Sequence, residues 1–135
     1  MPKSHSIIPP EVSVEPTILY REKGRSGHVY VGRRLLGRAF PAHGPYFTAT
    51  PSYPDLLPGE GASIGTRYTT PERAALALRE FGDRFPPDRI QELGEAALRE
   101  QQARYGYGAR GDRAAFYGVL RAVEIFKRTY PRLNT

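Results

Sequence analysis

One junction restricts what this chain can fold into: Ile64-Gly65-Thr66-Arg67-Tyr68-Thr69-Thr70-Pro71-Glu72-Arg73-Ala74-Ala75-Leu76-Ala77-Leu78-Arg79-Glu80-Phe81. It reads as the end of a strand, a cap and a helix. Thr70 is a favourable N-cap, because its hydroxyl can accept from a free N–H of the first turn. Pro71 suits the first helical position, where its φ is already helical and its missing N–H is not needed. Glu72 complements the positive end of the helix dipole. Ala74, Ala77, Leu78 and Phe81 follow the i, i+3, i+4, i+7 spacing of a helix face that packs on a sheet. Extended segments precede the junction and helical ones follow it. The expected fold is therefore α+β: a small, mostly antiparallel sheet in the N-terminal half, packed against a helix and followed by two C-terminal helices.

The strands are read from alternation and from turn residues. Residues 17–23 are a strand and Gly24-Arg25-Ser26-Gly27 a turn. His28-Val29-Tyr30-Val31 is the next strand, with Val29 and Val31 on one face and His28 and Tyr30 on the other. Gly32 permits a bulge or a turn, so residues 28–40 form either one bent strand or a hairpin. Pro41-Ala42-His43-Gly44-Pro45 is a turn, residues 46–50 a strand, 51–61 a Pro/Gly-rich loop, and 62–68 the strand that closes the sheet. Residues 1–16, with four prolines, read as a flexible arm, although Ile7, Ile8, Val12 and Val14 could add an edge strand. The remainder, 17–135, reads as a single domain, with strands over 17–69 and three helices over 71–130.

The first helix is expected over 71–81, with Gly82 as C-cap and Pro86-Pro87 blocking continuation. A second runs from a capping-box-like Asp88/Gln91 to about residue 104, with Ile90, Leu93 and Ala97 inward and Glu95/Arg99 as an i,i+4 pair. After a loop over 105–111, Asp112 caps a third helix whose stripe is Phe116, Val119, Leu120, Val123, Phe126 and Tyr130.

Charge is where function enters. The net charge is +6, and 17 of the 20 basic residues are arginine, the side chain best shaped for phosphate and for stacking on bases. Residues 17–70 carry seven basic and three acidic residues, 71–100 five and seven, and 101–135 seven and two, so two basic zones flank an acidic helical one. The densest basic cluster is Arg21, Lys23, Arg25, Arg33, Arg34 and Arg38, interleaved with Tyr20, His28 and Tyr30. A β-ribbon carrying such residues can reach phosphates and base edges, and its aromatics can stack on unpaired bases. The same pattern also suits a solvated hairpin whose positive edge discourages strand pairing. Arg121, Lys127 and Arg128 of the C-terminal helix could hold a second stretch of backbone. These residues lead to the expectation of a noncatalytic accessory or regulatory protein that binds DNA or RNA.

The alternative is a protein-interaction module, an adaptor or an inhibitor of a larger complex, of the kind a phage or mobile element encodes. It would use Tyr53, Leu56, Leu57, Tyr105 and Tyr107, because exposed tyrosines concentrate binding energy at interfaces. The sequence Gly65-x-x-Tyr68-x-Thr70-Pro71-Glu72-x-Ala74, preceded by the arginine-rich hairpin, is loosely similar in outline to AP2-like and integrase arm-type DNA-binding domains over roughly residues 17–81. That resemblance implies a three-stranded sheet that reads DNA, with the helix behind it. The proline-rich stretch 51–61 departs from the compact pattern of those families.

Other chemistries find little support. There is no cysteine, so no disulfide or thiolate metal site can form. His5, His28 and His43 lack metal-ligand spacing and no H-E-x-x-H is present, so no metal or cofactor is expected. Gly106-Tyr107-Gly108-Ala109-Arg110-Gly111 matches G-x-G-x-x-G, but a helix precedes it instead of a strand, and Asp112 would repel phosphate. Arg110-Gly111-Asp112 is a tripeptide common by chance. No G-x-S-x-G occurs, and Glu92, Glu95 and Glu100 sit among arginines on helix faces, so no catalytic residues are assigned. No run reaches the ~18 apolar residues of a transmembrane helix and no signal peptide is evident, which points to a small soluble cytoplasmic protein with no membrane partner.

Overall fold

The computed structural model describes residues 12–14, 27–31, 34–56, 60–106 and 113–130. Among the described residues five strands precede three helices: β1 (Val12–Val14), β2 (Gly27–Val31), β3 (Arg34–His43), β4 (Tyr46–Pro51), β5 (Gly65–Tyr68), α1 (Pro71–Arg84), α2 (Pro87–Tyr105) and α3 (Ala114–Thr129). The strands form one sheet in sequence order, every neighbouring pair antiparallel. The fold is α+β, as the junction at Thr70 required.

The segment 28–40 is a hairpin. Val31 and Arg34 are register partners, so only positions 32–33 separate β2 from β3. Val12–Val14 add the edge strand beside β2, with Val12 buried, so the sheet reaches into the segment otherwise expected to be an arm. The expected strand over 17–23 lies outside the described residues. The expected turn over 41–45 shrinks to Gly44 and Pro45, because β3 continues through Pro41 to His43, which pairs with Tyr46. Gly44 has φ +59, the left-handed conformation glycine adopts without cost.

The β2–β3 ladder carries an irregularity. Val29 pairs with Gly37 and Tyr30 with Leu35, which leaves Leu36 as an extra residue in β3. Gly37 is required there, since a Cβ would overlap the Thr50 carbonyl oxygen of β4 and sit 2.9 Å from the Pro51 Cα.

α1 lies against all five strands. Thr70 caps it as expected, its Oγ1 accepting from the Arg73 N–H at 3.1 Å. The helix runs past Gly82 to Arg84, and Phe85 is the C-cap. Gly82 therefore does not end it. The stop is set by Pro86, which disfavours helical geometry in the residue before it. α2 begins at Pro87 with Pro86 before it and no side-chain cap; Gln91 donates to Glu95 Oε2 at 3.0 Å instead of closing a box with Asp88. Gly106, at φ +75, closes α2, its N–H bonded to the Gln102 carbonyl. The expected cap Asp112 lies outside the described residues, and Arg113 occupies the position before α3.

The buried face of α3 is Ala114, Ala115, Gly118, Val119, Ala122, Val123 and Phe126. Phe116 and Leu120, expected inward, are only half-buried. The helix is turned so that its small residues face α2. A Cβ on Gly118 would overlap the Ile90 carbonyl oxygen, and one on Gly94 the Ala114 carbonyl oxygen. At these two crossings volume decides, because two backbones in contact leave no room for a side chain.

The core joins sheet and helices around Phe81. Its ring lies 5.0 Å from Phe85, 5.3 Å from Phe126 of α3 and 6.3 Å from Tyr53 of the loop after β4. The small residues Ala39, Ala49, Ala74, Ala75 and Ala77, all fully buried, let α1 approach the sheet closely.

Candidate nucleic-acid interface

Alternation along the strands divides the sheet into two faces. Val29, Gly37, Ala39 and Ala49 face α1. Their neighbours in sequence point the other way, and the register assembles them into rows: His28, Arg38 and Thr50 across β2, β3 and β4, and Phe40 with Thr48 across β3 and β4. Tyr46 continues this face along β4. Among the described residues, none of His28, Tyr30, Arg38, Phe40 and Tyr46 belongs to the core cluster.

Arginines and aromatic rings pair on this face. The Arg38 guanidinium lies over the Phe40 ring, 5.2 Å from its centroid, and that of Arg67 lies 5.3 Å from the centroid of Tyr46. His28 and Tyr30 stack with centroids 6.5 Å apart. Arg38 and Arg67 are exposed, while the four rings are half-buried, so the rings lie flush in the sheet with the cations above them. Thr48 lies between Phe40 and Tyr46. It is 6% exposed, and among the described residues its Oγ1 has no hydrogen-bond partner.

Next to these rows a cleft of about 550 Å³ opens between the sheet and the segment after β4. His28, Arg38, Thr50, Ser52 and Glu60 contribute to its walls. Glu60 is ion-paired with Arg113 at the start of α3, which ties this segment to the helical half.

The expected site residues separate under this geometry. Tyr20, Arg21, Arg25 and Arg33 lie outside the described residues. Tyr30 and Arg38 are on the outer face. Arg34 is on the other face. The extra residue Leu36 reverses the alternation, so Arg34 pairs with the core-facing Val31 while Arg38 pairs with His28. The Arg34 guanidinium lies at the C-terminal end of α1, where a Cβ on Gly82 would be 3.3 Å from its Nη2. A cation there complements the negative end of the helix dipole, a structural role.

On α3, Arg121 donates to Glu100 Oε1 of α2 at 2.9 Å and lies 3.7 Å from Glu124. The Arg121 hydrogen bond holds the Glu100 carboxyl below its ordinary range. Lys127 and Arg128 are exposed in the last turn of α3, also at the negative end of a helix. Among the residues of the alternative reading, Tyr53 donates from its phenol to the Phe85 carbonyl at 2.6 Å and Leu56 packs against the core. Tyr105 is 56% exposed, with Arg104 6.0 Å from its ring centroid. Leu57 and Tyr107 lie outside the described residues.

Sequence reasoning left out Phe40, Tyr46, Thr48 and Arg67. The i, i+2 spacing of Arg38/Phe40 and of Tyr46/Thr48 was a usable signal, but only the register places those pairs side by side. Among the described residues, no group of three or more histidines and carboxylates is arranged to hold a metal ion, and no helix is long and apolar enough to cross a membrane. Comparison of the chain with protein-family models, curated proteins and solved structures finds no match.

Proposed function

We propose that this chain is a noncatalytic nucleic-acid-binding protein that contacts its ligand with the outer face of the sheet. The observation that carries the reading is the pairing of Arg38 with Phe40 and of Arg67 with Tyr46 on a face that α1 leaves uncovered. Such a face offers a partner for both things a nucleic acid presents, negative phosphates and flat π surfaces. The net charge of +6 favours a polyanion over a neutral ligand at every distance within the Debye length. Arg33, next in sequence to the hairpin strands, and Arg21 and Arg25 before it would add backbone contacts. Arg34, on the opposite face of the sheet, and Arg121, ion-paired with Glu100, are left out of the contact set.

Salt titration tests this reading. On duplex DNA each phosphate contact contributes a log–log slope of about −0.9, and on a single strand about −0.7. The double variant Arg38→Ala/Arg67→Ala should bind more weakly and flatten the slope by about 1 to 2. Absence of binding at low salt, or a slope unchanged by the double variant, would overturn it.

A second reading, a protein-interaction module, is favoured by one feature, the exposed Tyr105 at the mouth of a groove between α2 and α3. A partner captured with nuclease-treated protein and lost on Tyr105→Ala would support it over the first.

The rings also set a competition. A nucleobase stacked on an aromatic side chain contributes about 1–3 kcal/mol, against about 0.5–1 for an exposed cation–π pair. A base therefore displaces a guanidinium from a ring that both can reach.

A further inference from the structure

We infer that the occupant of the outer sheet face is an unpaired strand, with one base on Phe40 and the next on Tyr46, and with Arg38 and Arg67 leaving those rings to meet the phosphates. The inference rests on the nucleic-acid reading above and specifies the kind of nucleic acid. Three observations carry it. First, the rings lie flush in a sheet of five strands. A major groove admits a helix or a two-stranded ribbon, and rings that lie flush in a broader sheet do not project into it to reach paired bases. Second, Phe40 pairs directly with Thr48, and Tyr46 is two residues further along β4, which makes the two rings diagonal neighbours on adjacent strands. Diagonal neighbours are about 7–8 Å apart, roughly twice the ~3.4 Å rise per base of a stacked strand. Each ring therefore takes its own base from an extended chain. Third, the Thr48 hydroxyl between the rings is buried and lacks a partner among the described residues. When the neighbouring guanidinium moves aside, the polar edge of a base supplies one.

The arginines have two positions in this scheme. Without ligand they cover the rings, keeping apolar surface from water. With ligand they exchange a π face for a phosphate oxygen, and the exchange is what makes binding both base-dependent and salt-dependent.

Fluorescence anisotropy with labelled oligothymidylate, oligouridylate and a hairpin duplex of matched charge tests the inference. Single strands should bind the wild-type protein about tenfold or more tighter than the duplex. Phe40→Leu and Tyr46→Leu keep apolar contacts but remove the π face. Each should weaken single-strand binding by about tenfold and leave duplex binding unchanged, while Tyr46→Phe should bind as wild type. Circular dichroism and thermal melting verify that each variant is folded. Tight binding of either oligothymidylate or oligouridylate supports the inference, and the tighter of the two identifies DNA or RNA as the source. Equal affinity for duplex and single strand, or leucine variants that bind the single strand like wild type, would overturn it. If duplex binding persists and still depends on Arg38 and Arg67, the nucleic-acid reading survives without the stacking. If nothing binds at low salt, both fail.

Discussion

Tyr53 holds the segment after β4 onto the helices, and a single phenol does much of it. Its ring packs against Phe81 and its hydroxyl donates to the Phe85 carbonyl, one of the carbonyls left free where α1 stops. Tyr53→Phe removes that hydrogen bond and leaves the ring, so it should lower stability by about 1 kcal/mol in urea denaturation at neutral pH. The same burial pushes the phenol's pKa above its ordinary 10.0, with Arg34 opposing. Burial raises Tyr68 as well. The unfolded chain therefore loses these protons first. The stability they confer is intact below pH 10 and falls as pH rises past it. Wild-type denaturation midpoints should decline between about pH 9 and pH 11, and the decline should be shallower in Tyr53→Phe. A flat profile across that range would contradict the assignment. Gly37 shows the opposite kind of control: what matters there is the absence of a side chain, which lets β3 carry its extra residue beside β4.

Among the elements, the α2–α3 pair shows most directly how volume decides orientation. Gly94 and Gly118 each face a backbone carbonyl of the other helix, those of Ala114 and Ile90. Neither neighbouring atom belongs to a side chain that can rotate away, so the helices themselves must separate to admit a methyl group. Gly94→Ala and Gly118→Ala each improve helix propensity by about 1 kcal/mol, yet each should destabilise the protein by about 1–2 kcal/mol net, because overpacking against backbone outweighs propensity. Chemical denaturation measures the sign directly. A stabilised variant would show that the helices do not cross where Gly94 and Gly118 lie.

At the scale of the whole molecule, Phe81 and Phe126 connect the sheet-and-α1 half to the α2–α3 half. Arg84 reinforces the connection, donating to Thr129 Oγ1 at 2.8 Å and lying 5.6 Å from the Phe126 ring centroid. Phe126→Ala should cost about 3–5 kcal/mol, enough to unfold a marginal domain at ambient temperature. A residual fold would expose the contact as peripheral. Arg84→Ala, which removes only a half-exposed reinforcement, should cost about 1 kcal/mol or less. Phe40 and Tyr46 lie outside the core cluster that makes this connection, so Phe40→Leu and Tyr46→Leu should leave it intact.

The chain's own residues determined the class of the fold. Thr70, Pro71 and Glu72 start α1 through local hydrogen bonding and preset φ, and Pro86 ends it through a clash with the residue before it. These effects act over a few residues and need no partner. Ala74, Ala77, Leu78 and Phe81 announce their buried face by spacing alone. Tertiary structure decided which arginines share a face. In the sequence Arg34 and Arg38 are four apart on one strand and belong on one face. The extra residue Leu36 turns Arg34 toward α1 and leaves Arg38 on the side away from it. That parity depends on how β3 registers with β2, a property of two strands and their shared core. In the same way α3 buries Val119, Val123 and Phe126 of the stripe its sequence shows, yet leaves Phe116 and Leu120 half-buried and sets Gly118 against the Ile90 carbonyl, because close approach is governed by the neighbour's backbone. Local chemistry named the elements; the register and the helix crossing chose the faces they present.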